Sequence, residues 1–316
     1  MFSRRLFPLH SVRTSVHNIK FCSFNTLSFE QYGDKAAPKT AIFIHGMLGS
    51  KKNMRTPCRE FIKLNPNYTC LTVDVRGHGL SHNLGGDSTI EECANDLHKL
   101  LQSLKIPHPH MLVAHSLAGK VALKYLERCT TEGSPLPGNT WILDSLPMPY
   151  KMLDDDTSDI TQSVAHVVKA LDILPMPQPT RAAVIKGVTD LGIALPVAQW
   201  LSTSLKQTSD GKVTWVFDLK VVKQLFVNFI ELDMRSFLEE YEGEGVIHFV
   251  RAGRSEKWTS EVLAFFNQII TQQSQQAGGH KSLQLHTMPL AGHWLHSEDL
   301  SGLLKIMSEN YVHRPL

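Results

Sequence analysis

No stretch of about 18 consecutive apolar residues occurs in the 316 residues of this chain, so no membrane-spanning helix is expected. Charge of a single sign is also lacking: 32 basic side chains face 30 acidic ones, a formal balance of +2, which removes the electrostatic case for a nucleic-acid partner. The five cysteines, Cys22, Cys58, Cys70, Cys93 and Cys129, form no Cys-x-x-Cys pair. Their scatter over expected strands and helices is the pattern of reduced, buried thiols rather than of a disulfide framework. His108 and His110, interleaved with Pro107 and Pro109, fall in a loop with no second ligand group at matching spacing, so neither a metal nor another cofactor is expected. Acidic residues are missing from the first 29 positions, where Arg4, Arg5, Arg13 and Lys20 stand among several serines without an apolar h-region. Residues 1–29 therefore read as an organellar transit peptide, mitochondrial rather than secretory, with a plastid address as the alternative.

What remains is rich in core material. At 42% hydrophobic and 8% aromatic residues, the chain can fill one large core. Short apolar runs at residues 40–44, 68–74, 112–114, 141–143, 249–252 and 283–288 read as strands. Residues 88–104 read as a helix, with Ser88 and Glu91 as a capping box and Ile90, Ala94, Leu97, Leu101 and Leu104 on one face. Strands alternating with helices of this length predict an α/β fold with a mostly parallel central sheet, helices on both faces, and active residues at the strand C-termini. Residues 147–242 change rhythm, carrying Pro147, Met148, Pro149, Met152, Pro175, Met176, Pro177 and Pro179 before a helical run at 221–237. They are expected to form an inserted helical cap, which Trp200, Trp215, Phe226 and Phe229 would give an apolar lining. The core is then 30–146 and 243–316.

The segment Leu112-Val113-Ala114-His115-Ser116-Leu117-Ala118-Gly119 carries the chemistry. A serine hydroxyl attacks well only when held exposed beside a base and an anion-stabilising pocket. A sharp strand-to-helix turn does this, and it demands small residues two before and two after the serine. Here both are alanine, Ala114 and Ala118, where glycine is usual. A carboxylate, Asp144, ends an apolar run 28 positions later, and His293 follows the last expected strand after Gly292. Serine, then acid, then histidine is the chain order of α/β-hydrolase triads. Upstream, Ile42-Phe43-Ile44-His45-Gly46-Met47 opens from a strand into a loop, so the oxyanion donors are expected to be the N–H groups of Met47 and Leu117.

Together, His45-Gly46, Asp74-Val75-Arg76-Gly77-His78-Gly79-Leu80-Ser81, Ala114 to Gly119, Leu143-Asp144 and Gly292-His293-Trp294 resemble the α/β-hydrolase superfamily from about residue 24 onward. Within it, Phe249-Val250-Arg251-Ala252-Gly253-Arg254-Ser255 and the Asp144 position are similar to the mitochondrial alpha/beta-hydrolase domain-containing protein 11 family and its bacterial esterase relatives. The resemblance implies an α/β-hydrolase fold, Asp144 as the acid, and Ser255 as a hydrogen-bonding helper to His293, with His45 and His115 of the matched motifs in support. Glu256 is the competing acid, and Asp218 and Asp233 are weaker rivals. Asp74 and Arg76 precede the serine and are expected to fix their own turn. The function so implied is a carboxylic ester hydrolase, esterase- or lipase-like or a thioesterase, acting on a small-molecule acyl ester of lipophilic character. The alternative is a hydrolase-fold binding or assembly protein with little turnover. Nothing in the chain identifies protein partners.

Overall fold

Seven strands pair into one sheet in the computed structural model, which describes residues 26–82, 84–150, 159–275 and 282–312; six lie at the expected runs, and the seventh, at residues 29–32, was not among them. The strands are β1 (Phe29–Tyr32), β2 (Lys39–Ile44), β3 (Tyr68–Val73), β4 (Met111–His115) and β5 (Asn139–Leu143). A small hairpin follows, β6 (Leu205–Gln207) with β7 (Val213–Trp215), and then β8 (Val246–Ala252) and β9 (Leu283–Met288). Their order in the sheet is β1-β3-β2-β4-β5-β8-β9. Only β1 runs antiparallel; the rest are parallel neighbours.

Every residue of β3, β4 and β5 is buried, as a sheet covered on both faces requires. Alternate side chains of one strand enter different cores. Ile42, Ile44, Leu112 and Ala114 pack with the helices Ile90–Ser103, Leu117–Glu132 and Ser260–Gln275. Ala41, Phe43, Met111 and Val113 pack with Arg55–Leu64 and Leu300–Glu309. Cys58, Cys70, Cys93 and Cys129 are buried and unpaired. Cys22 lies outside the described residues, as does the expected leader up to residue 25. The fold begins earlier than residue 30: Leu27 and Phe29 are 3% and 4% exposed in the core, and the Ser28 N–H donates to Ser81 Oγ at 2.8 Å.

Two local expectations shift. The helix expected from residue 88 begins at Ile90, and its cap is Thr89, whose hydroxyl accepts the Glu92 N–H at 3.1 Å. A tertiary contact accompanies the later start, since the Ile90 N–H donates to Asn228 Oδ1 at 2.7 Å. The run at 221–237 divides into Leu219–Glu231 and Arg235–Glu239, where the Met234 N–H turns to the Pro147 carbonyl at 2.7 Å.

Between β5 and β8 the chain leaves the sheet and builds helices Asp159–Ile173, Arg181–Asp190, Leu195–Leu201, Leu219–Glu231 and Arg235–Glu239 around the β6–β7 hairpin. Val167, Leu171, Val184, Val188, Leu201 and Trp215 form a third cluster, which takes Leu48 from the sheet side. Lys120, on the helix after Ser116, ties both ends of this insert to the core. It is fully buried, and its ammonium donates to the carbonyls of Met148, Phe229 and Leu232 at 3.0, 2.7 and 2.6 Å. Burial pushes its pKa down to about 7. Lys120→Met removes the donor to three buried carbonyls and is expected to cost about 3 kcal/mol or more, read as a lowered urea midpoint at unchanged slope.

Candidate active site

Ser116 sits where β4 passes into helix Leu117–Glu132, with φ 53° and ψ −119°, a conformation that non-glycine residues adopt only under constraint. Its N–H donates to the Leu143 carbonyl on β5 at 3.0 Å, and its carbonyl accepts the Gly119 N–H at 2.8 Å. The turn leaves no room around it. Ala114 and Ala118 are fully buried. A Cβ on Gly119 would stand 2.6 Å from Ser145 Cβ, and one on Gly46 would stand 3.0 Å from Ser116 Cβ. Alanine suffices at the two elbow positions; glycine is needed at Gly119 and Gly46.

The loop after β2 is held by two histidines. His45 Nδ1–H donates to the Gly46 carbonyl at 2.7 Å while its Nε2 accepts the Val75 N–H at 3.0 Å. His78 Nδ1–H donates to the Arg76 carbonyl at 2.9 Å while its Nε2 accepts the Leu48 N–H at 3.0 Å. Both rings are therefore neutral, the tautomer following from the partners. Burial pushes His45 below the usual imidazole value and His78 down to about 3. Leu48 takes φ 62°, and Ser204 of the insert donates to its carbonyl at 2.9 Å. Asp74 receives Lys51 Nζ at 2.6 Å and the Leu80 N–H at 3.0 Å, and Arg76 clasps Asp96 at 2.8 and 3.0 Å. Asp74 thus holds the turn through Leu80, whereas Arg76 ties it to helix Ile90–Ser103 instead of fixing the turn itself. Met47 lines the same cavity as Ser116, and Leu117 is the first residue of the helix that follows the serine.

His293 Nδ1–H donates to Asp144 Oδ2 at 2.7 Å. Asp144 itself is fully buried, with φ 48°. Its Oδ1 accepts the Ala252 N–H at 3.1 Å and Trp258 Nε1–H at 2.7 Å, and Oδ2 also receives Lys257 Nζ at 2.7 Å. Burial pushes this carboxyl up, but Lys257 and the His293 bond outweigh it and hold it well below the usual carboxylate range. His115 lies against the His293 ring, centroids 4.7 Å apart, and donates from Nε2 to the His293 carbonyl at 2.8 Å. The other carboxylates stand elsewhere. Glu256 is exposed, Asp218 caps helix Leu219–Glu231, and Asp233 pairs with Arg235.

Ser255 does not bond His293. Its hydroxyl is buried without a partner among the described residues, and the side chain beside the ring is Lys257, 3.4 Å from Nδ1. Nothing in the sequence marks this lysine, since Glu-Lys-Trp reads as an ordinary surface segment until the chain turns it inward. Trp258 and His296 were equally unmarked; the His296 ring lies 4.4 Å from that of His115.

Ser116, Met47, Ser255 and His293 line one cavity of about 630 Å³. No hydrogen bond joins Ser116 Oγ to the His293 ring among the described residues. Val164, Val167, Pro196, Val197 and Trp200 of the insert form one wall. Trp200 meets Trp294 with centroids 5.6 Å apart, and Arg254 and Glu298 pair across the lining at 2.5 Å. His108 and His110 lie at the opposite end of β4, where His110 accepts the Thr40 N–H at 3.1 Å.

The buried histidines give this region a pH dependence. In the folded chain His78 titrates at about 3 and His296 at about 4, both pushed down chiefly by burial. Once unfolded, each binds a proton near pH 6.5. Stability is thus whole above about 6.5 and falls as the pH drops toward 4, by about 2 kcal/mol per ring at pH 5. Urea unfolding at pH 7 and pH 5 measures the difference.

A family model described as the alpha/beta hydrolase fold matches residues 40–149. A solved structure described as a marine microorganism esterase superposes with a TM-score of 0.73 at 20% identity, covering 90% of this chain and 99% of its own. The chain has the α/β-hydrolase fold. An esterase of M. tuberculosis shares this fold at a TM-score of 0.63 and 17% identity, covering 92% of this chain and 91% of its own. In sequence, the chain is similar to the sn-1-specific diacylglycerol lipase ABHD11 of Mus musculus, 28% identical over 297 residues, which is 87% of this chain and 80% of the relative. The Xenopus laevis protein of the same name is 25% identical over 240 residues, 73% and 70% of the two chains. No described helix of the chain is long and apolar enough to cross a membrane.

Proposed function

We propose that this chain is a serine hydrolase that cleaves carboxylic esters with lipophilic acyl groups. The observation that carries the reading is the 2.7 Å bond from His293 to Asp144 at the edge of the cavity that Ser116 enters on its constrained turn. In the proposed reaction His293 takes the Ser116 proton, Asp144 holds the ring tautomer and stabilises the imidazolium, and the Met47 and Leu117 N–H groups receive the oxyanion. The alcohol leaves with the proton from His293. Water then attacks the acyl-serine by the reverse relay. The relatives named as lipases and esterases support ester hydrolysis as the reaction class. In this reading residues 147–242 act as a cap over the site.

Because Val164, Val167, Val197 and Trp200 line the cavity, each CH₂ buried there is worth about 0.8 kcal/mol. A series of p-nitrophenyl esters is therefore expected to gain about fourfold in kcat/KM per CH₂ until this wall is covered, and Trp200→Ala to flatten the series. The competing reading, a binding or assembly protein on the same fold, draws on the missing Ser116–His293 bond. Fluorophosphonate labelling decides between them: covalent modification of Ser116 supports the hydrolase, and an unlabelled folded protein overturns it. We also propose mitochondrial import. Residues 1–30 fused to a fluorescent reporter are expected to direct it there, and a diffuse cytosolic signal excludes this.

A further inference from the structure

Lys257 is 2% exposed and lies in the connection between β8 and helix Ser260–Gln275. Its ammonium donates to the Asp144 main-chain carbonyl at 2.5 Å and to Oδ2 at 2.7 Å, and stands 3.4 Å from His293 Nδ1. An aspartate facing a histidine alone sets an uncompensated negative charge against the ring and favours the imidazolium. Here the same carboxylate oxygen carries a cation.

We propose that Lys257 is a positioning residue that braces Asp144 and offsets the carboxylate charge felt by His293, so that the ring stays neutral in more acidic solution than an ordinary imidazole tolerates. The inference rests on the hydrolase reading for its catalytic consequence, but its electrostatic part stands on the geometry. Coulomb energy falls as the reciprocal of distance, so a cation at 3.4 Å cancels about four-fifths of the attraction from an anion at 2.7 Å. The other groups around the ring do not supply this. His115 at the end of β4 and His296 on Leu295–Glu298 are both pushed below the ordinary imidazole value chiefly by burial. Glu298 favours the protonated ring and is itself engaged by Arg254. In accord with this, His293 is pushed down by burial first and by Lys257 second, against the upward pull of Asp144. Holding the carboxylate in place does not depend on the lysine alone, because Ala252 N–H and Trp258 Nε1–H grip Oδ1. Removing Lys257 therefore takes away the charge and leaves two of the supports.

The test compares the full-length wild type with Lys257→Met and Lys257→Arg. For p-nitrophenyl butyrate, the acidic limb of kcat/KM is expected below pH 6.5 in the wild type. It is expected to rise by about one unit or more in Lys257→Met, with a loss of activity that grows as the pH falls, and to stay low in Lys257→Arg. The ring itself is followed by NMR with ¹³C-labelled histidine, its signal assigned by disappearance in His293→Ala, and the same upward shift is expected. A folded Lys257→Met protein whose His293 titrates as in the wild type overturns the inference. Should methionine unfold the chain, Lys257→Gln serves the same comparison, and a wild-type ring titrating at or above about 6.5 overturns it with no variant at all. A shifted ring in a protein that neither turns over esters nor reacts with fluorophosphonate sinks the hydrolase reading and leaves the electrostatic inference standing.

Discussion

Ser116→Ala is expected to lower kcat for ester hydrolysis by about 10⁴- to 10⁶-fold while leaving the thermal melting curve in place. The size follows from the way nucleophile, base and acid act as one unit, so that loss of the serine approaches loss of all three. What survives is the contribution of the oxyanion donors and of substrate binding. The fold is expected to survive because the contacts that hold the turn are made by the backbone, Ser116 N–H to Leu143 and the Ser116 carbonyl to Gly119, and alanine keeps both. Alanine already serves on either side of the serine at Ala114 and Ala118. Active-site titration with a fluorophosphonate, followed by intact-mass measurement, checks the assignment directly: wild type gains one adduct and Ser116→Ala none. Turnover retained by the folded variant would remove Ser116 from the proposed mechanism.

Asp144→Asn is expected to do two separable things. In the reaction it lowers kcat by about 10⁴-fold, because an amide can present its NH₂ to the ring and reverse the tautomer that leaves Nε2 free to accept the serine proton. In the fold it strands Lys257, which is 2% exposed and whose Nζ lies 2.7 Å from Oδ2. Breaking a buried ion pair by removing one partner costs about 3–5 kcal/mol. The double variant Asp144→Asn with Lys257→Met is therefore expected to regain most of the stability and none of the activity. Urea unfolding and single-turnover kinetics on the four proteins separate the effects. An Asp144→Asn protein as active as the wild type would reassign the acid, with exposed Glu256 as the next residue to substitute.

Much of this arrangement was legible in the chain. Short, mostly apolar runs sufficed for the parallel strands, because a strand covered on both faces is largely apolar, and β3, β4 and β5 are buried along their whole length. The turn at Ser116 was legible because close packing leaves its mark as small side chains at fixed offsets. The position of His293 was legible because a histidine after the last strand stands in a loop at the strand C-termini. Between Asp144 and Glu256, spacing was silent, since both follow sheet strands, and only the path of the chain brings one to the ring. Ser255 was expected at His293 and Lys257 was not: both turn inward after β8, and nothing local records which of them reaches the ring. The helix expected at residue 88 starts at Ile90, where a contact with Asn228 from the insert accompanies the first turn.

By itself the sequence determined the elements whose causes are local: the parallel strands of the sheet, the apolar face of the helix after residue 88, the small residues around Ser116, and the chain order of hydroxyl, carboxylate and imidazole. The tertiary structure alone decided which carboxylate meets His293, that a buried lysine shares its oxygen, and that histidines 45 and 78 pin the loop beside the serine. Local features follow from backbone sterics and the period of burial, which neighbouring residues express. The charge balance of the site arises between β5, the connection after β8 and the loop after β9, whose meeting depends on the packing of the whole sheet.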